Sequence, residues 1–208
     1  MKFSHAFAAS ALALLSCSAQ AGVISTGPAT GASVLCIANN GCTGGAFTAY
    51  EQFSLAEAGK VTAIDWIARL QGGAADFRGA RATIYGSDPA LGSAAPLHVI
   101  APQMNPLLSN SELFADAFTI TLSRLSIELA AGDYWIGMQN LTGQYGATMA
   151  CSDCTFGSYT QGLDNSNEYY QRRGDLAFRV TIPEPATVGL MALGLMGFAA
   201  SRRRRKHG

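Results

Sequence analysis

Apolar and polar residues alternate with a period of two along much of the chain. Ile64, Trp66, Ala68 and Leu70 fall on one side of a run whose other side holds Asp65, Ile67 and Arg69. Ala82 and Ile84 alternate with Arg81, Thr83 and Tyr85. Phe118, Ile120 and Leu122 alternate with Thr119 and Thr121, and Leu176, Phe178 and Val180 with Ala177, Arg179 and Thr181. Alternation of this kind presents side chains to opposite faces in turn, so it predicts half-buried strands rather than helices. Each run ends near turn residues such as Gly72-Gly73, Asp88-Pro89, Gly132-Asp133 or Gly174-Asp175. The stretch ELAAGDYWIGMQN reads as a turn and then a strand, with Tyr134, Ile136 and Met138 on one face and Trp135 on the other. DLAFRVTI is expected to be the last strand. With roughly eight to ten short strands, residues 22–182 are expected to form an all-β domain. An antiparallel two-sheet sandwich, jelly-roll-like, is the economical arrangement because stacking buries one face of each sheet. Trp66 is expected in its core.

The two ends of the chain break this pattern. Lys2, an apolar run over residues 7–15 and the small residues of Ala19-Gln20-Ala21 read as a secretory signal, residues 1–21, cut before Gly22. Leu14-Leu15-Ser16-Cys17 resembles a lipoprotein cleavage box, which Leu15 fits poorly. Near the other end, residues 186–200 carry no charge. As a helix they extend only about 22 Å, less than the ~20 residues of a durable membrane span. Arg202, Arg203, Arg204, Arg205 and Lys206 follow at once and fix that end in the cytoplasm. The expectation is therefore a β-domain followed by a single C-terminal transmembrane helix. Pro183-Glu184-Pro185 precedes that helix as a stiff, non-helical strip.

A Pro-Glu-Pro triplet, a short apolar segment dotted with Gly189, Gly194 and Gly197, and a basic cluster over 202–206 together resemble the PEP-CTERM sorting signal. The resemblance covers residues 183–208. It implies recognition by an integral-membrane exosortase, a processing enzyme of Gram-negative bacteria that make exopolysaccharide. The expected product is exported through the inner membrane to the cell surface or extracellular matrix. Its partners are then the exosortase, the membrane through the C-terminal segment at least transiently, and the exopolysaccharide. A plain membrane-anchored surface protein is the rival reading of the same tail.

Charge and the reactive residue types narrow the function further. One basic residue lies in the leader and five in the tail, so eight Lys and Arg face all fourteen Asp and Glu in residues 22–185, a net charge of about −6. That balance repels phosphate backbones and argues against nucleic-acid binding. Cys17 leaves with the leader, and Cys36, Cys42, Cys151 and Cys154 remain in an oxidising compartment. Three connectivities are open, and pairing within Cys36/Cys42 and within Cys151/Cys154 is favoured because each pair brackets a polar loop. A redox role for Cys151-Ser152-Asp153-Cys154 lacks a βαβ setting, and a four-cysteine zinc site lacks regular spacing.

His98, the one histidine of residues 22–182, is expected on the polar face of a short strand. No G-x-S-x-G elbow nominates a serine to join it, so no catalytic residues, cofactor or metal are assigned. Asp65, Asp76, Glu112 and Asp116 read as solvated or turn-capping acids. Asp164-Asn165-Ser166-Asn167-Glu168 offers oxygen ligands suited to calcium but also the ordinary composition of a loop. The domain is expected not to be an enzyme. The alternative activity is a carbohydrate-binding module in which Tyr169 or Tyr170 turns a ring outward for a sugar to stack on.

Overall fold

The alternating runs at 64–70, 81–85 and 118–122 are each a strand in the computed structural model, which describes residues 22–43, 45–91, 94–111, 113, 115–164 and 168–183. Residues 23–182 form one compact unit. A second unit comprises 1–22 and 183–208, of which only Gly22 and Pro183 are described. The strands of the domain begin with β1 (Gly22–Ser25), β2 (Gly31–Cys36), β3 (Phe47–Leu55), β4 (Gly59–Val61) and β5 (Ala63–Leu70). One helical turn, α1 (Gly73–Asp76), leads into β6 (Phe77–Tyr85), β7 (Pro96–Gln103), β8 (Leu107–Asn110) and β9 (Ala117–Leu122). The rest are β10 (Ile127–Leu129), β11 (Gly132–Thr142), β12 (Ala147–Leu163), β13 (Tyr169–Leu176) and β14 (Phe178–Ile182).

The fold is all-β, and the ladders joining β2 to β14 are antiparallel. Twelve strands share one hydrogen-bonded sheet, and β4 pairs separately with β10. The large sheet branches at β12. The early part of that strand pairs with β5 through Ala147↔Leu70 and with β2, and its far end pairs with β3 and β13. Irregular register over residues 151–158 lets one strand serve both halves.

The halves face each other across an apolar interior, a sandwich-like arrangement. Alternation supplies the lining: Ile64, Trp66 and Ala68 from β5, Ala82 and Ile84 from β6, and Ile136 and Met138 from β11 are all at most 1% exposed. Phe53 of β3 lies 6.5 Å, ring centre to ring centre, from Phe178 of β14. The Trp66 indole N–H donates to Asn140 Oδ1 at 3.0 Å, so the largest core side chain keeps its polar atom satisfied.

Several expectations need correcting. Fourteen strands are present among the described residues, more than the eight to ten anticipated, because β1, β4, β8 and β10 have only three or four residues each. DLAFRVTI is two strands, not one. The chain leaves β12 at Ala177, whose N–H donates to Ala150 and whose carbonyl accepts from Ile67, and continues alongside β5. Asp65 is not a solvated acid. It is 6% exposed, accepts from Thr121 Oγ1 at 2.5 Å and pairs with Arg179 Nε at 2.9 Å across the β5–β14 ladder.

His98 shares its face of β7 with buried Ile100, and Leu97 and Val99 point outward instead. No helix among the described residues is long and apolar enough to cross a membrane, and the span expected over 186–200 lies outside them.

Candidate functional site

The outward face of β3, β11 and β6 carries a concavity. Because Ala49, Ala82, Ile136 and Met138 face the core, their neighbours Thr48, Tyr50, Arg81, Thr83, Gly137 and Gln139 must face out. Register then brings these residues together. Tyr50 and Thr83 both lie opposite Gly137, Thr48 lies opposite Gly162, and Gly162 lies opposite Tyr169. The result is a cleft of about 360 Å³, rimmed on one side by Val99 and Pro102 of β7. That is near the lower bound of ordinary ligand sites.

Three tyrosines form its wall. Tyr50 is central and buried, with its ring 5.8 Å from that of Tyr85 in an edge-to-face contact and 6.0 Å from that of Tyr169. Two glycines make room for it. A Cβ on Gly137 would lie 2.7 Å from Tyr50 Cε1, and one on Gly162 would lie 2.8 Å from Tyr50 Cε2 and 3.0 Å from Tyr169 Cε1. Burial is the main cause that pushes the Tyr50 hydroxyl well above the usual phenol range, with Tyr85, Tyr169 and Asp164 adding to it. Tyr50 therefore stays protonated at neutral pH.

The floor is polar and internally neutral. Asp164 accepts from Arg81 Nη2 at 2.6 Å, from Gln139 Nε2 at 2.8 Å and from Thr48 Oγ1 at 2.8 Å. Gln139 Nε2 also donates to the Phe47 carbonyl. Its Oε1 is buried and has no hydrogen-bond partner among the described residues. An unpaired buried acceptor costs about 1–3 kcal/mol.

The tyrosine pair expected to take a sugar is divided between two environments. Tyr169 belongs to the cleft. Tyr170 points to the opposite face of β13, where the Arg172 guanidinium covers its ring at 5.0 Å and its hydroxyl donates to Glu168 at 2.8 Å. Tyr50, Tyr85, Arg81 and Gln139 had no distinguishing signal in the sequence, because each is an ordinary outward residue of its own strand.

The other sites fall as follows. Cys36 pairs with Cys42 and Cys151 with Cys154, with Cα separations of 5.7 and 5.3 Å. The second pair lies within β12, at its irregular part, rather than flanking a loop. Asp164 gives both carboxylate oxygens to protein donors, and residues 165–167 of the suggested calcium run lie outside the described residues. Among the described residues no three His, Cys, Asp or Glu side chains gather as metal ligands. Asp76 caps a turn, accepting from the N–H groups of Gln144 and Tyr145 at 2.9 Å each. Asp116 holds Arg69 through two hydrogen bonds. Glu112 lies outside the described residues.

The sorting residues lie just beyond the last strand. Pro183 is exposed and follows β14 directly, while Glu184, Pro185, Arg202, Arg203, Arg204, Arg205 and Lys206 lie outside the described residues. No curated protein and no solved structure matches the chain. A family model does match, over residues 181–205, so its first two positions are the last two of β14. That family is the PEP-CTERM protein-sorting motif, and the C-terminal segment of this chain carries it.

Proposed function

We propose that this chain is an exported surface protein of a Gram-negative bacterium, delivered to the exopolysaccharide matrix and processed at its tail by an exosortase. The observation that carries the reading is the sorting-motif match over residues 181–205, which begins inside the last strand of the folded domain. The leader of residues 1–21 starts export. Residues 186–200 then form a transmembrane helix held from inside by residues 202–206, with the proline-stiffened strip outside for the processing enzyme to reach. A run this short and glycine-rich suits a temporary hold better than a lasting anchor.

The exported part is a jelly-roll-like sandwich that acts as a matrix component and not as an enzyme, and the chemistry that defines it is performed on it by another protein. Its net charge of about −6 keeps it soluble and away from nucleic acid. The test is a triple variant, Pro183→Ala, Glu184→Ala and Pro185→Ala, followed by cell fractionation. The substitutions extend the helix outward and hide the strip while leaving hydrophobicity and topology unchanged. The variant is expected to insert and accumulate uncut in the inner membrane. Normal processing of the variant contradicts the reading.

A further inference from the structure

We propose that the tyrosine cleft on the outer face of β3, β11 and β6 binds a neutral saccharide unit of a surface polymer. Three observations select that chemistry. First, Tyr85 and Tyr169 are half-buried on either side of buried Tyr50, so each leaves part of a ring for the apolar face of a sugar to stack on. Second, Arg81 is already neutralised by Asp164 in the floor, which leaves no unbalanced cation to select a phosphate or a uronate. Third, Thr48, Thr83 and Gln139 line the cleft beside the tyrosines, so polar side chains stand next to the aromatic wall as a sugar's hydroxyls and apolar face require.

The volume of about 360 Å³ admits one or two sugar rings rather than a folded partner. A peptide adding to the sheet would use the main-chain groups of a strand edge, whereas this cleft is lined by the outward side chains of the sheet face. The inference rests on the surface reading only for where the polymer is met, because the cleft itself belongs wholly to residues 23–182.

Affinity gel electrophoresis of the full chain, in a detergent without a sugar headgroup, tests it with dextran, xylan and β-glucan as neutral probes and alginate as the anionic one. At least one neutral polymer is expected to retard the protein. Tyr85→Ala and Tyr169→Ala are each expected to weaken that retardation roughly twofold to tenfold. Tyr170→Ala, on the other face, is expected to leave it unchanged. If an alanine variant loses its cooperative melting, tyrosine nitration of the wild-type chain reads the same contact, with Tyr85 and Tyr169 protected by the polymer and Tyr170 not. Retardation by none of the neutral polymers, by alginate alone, or equally in all three variants overturns the proposal. None of these outcomes bears on tail processing, which is read separately by fractionation.

Discussion

Glu51 shows how a single side chain sets a property of the whole domain. It is 5% exposed on the inward side of β3, where its oxygens accept from the N–H groups of Gln52 and Leu176 at 3.1 Å each. Loss of water outweighs those two donors, and Asp175 adds repulsion, so the carboxyl is pushed up from 4.5 to about 7. A raised value means that the folded chain holds the proton more tightly than the unfolded one. The associated stability is therefore fully present below pH 4.5 and is lost as pH rises to about 7. That loss is worth about 3 kcal/mol, or roughly 6 to 12 °C in a domain of this size. Asp76 and Asp116 work in the opposite direction. The Tyr145 N–H and the Arg69 side chain respectively hold their carboxyls below the ordinary 3.8, and that support fails only in stronger acid. The melting temperature is expected to be highest near about pH 4 to 5 and to fall toward neutrality. Glu51→Gln removes the fall, and calorimetry from pH 4 to 8 on both proteins checks it. A wild-type curve flat over this range contradicts the assignment.

Among the elements, strands with strong alternation were legible and those without it were not. β5, β6, β9 and β11 buried the predicted faces because cross-strand neighbours on both sides shared the same alternation. β12 escaped notice. Its seventeen residues ATMACSDCTFGSYTQGL are small and polar, with no fixed period, because the strand changes partners along its length. The cleft was illegible for a related reason, since its residues come from six separate strands and converge only through register. Tyr169 was found through the Tyr-Tyr pair, which had to turn one ring each way.

Two predictions belong at this scale. Gly162→Ala forces a methyl against the Tyr50 and Tyr169 rings and is expected to destabilise the domain by about 1–3 kcal/mol, measured by denaturant unfolding. An unchanged midpoint contradicts the close packing. The two cysteine pairs give the second: intact mass of oxidised against reduced protein is expected to differ by about four protons. Two or more thiols open to alkylation in the native, unreduced protein contradict it.

At the scale of the whole molecule, the chain joins a folded domain to an address. The address was the more legible part, because a sorting signal is read as a linear order of proline strip, apolar segment and basic cluster, and the family match over residues 181–205 follows that order. The tyrosine cleft depends on three-dimensional convergence, so it appeared only with the fold. The central claim is that the tail is removed. C-terminal peptide mass spectrometry of the wild-type protein from the surface fraction tests it most directly. The account predicts a C-terminus close to Pro183-Glu184-Pro185 and no peptide from residues 186–208. Surface protein that still ends at Gly208, with its apolar segment and arginines intact, would contradict it.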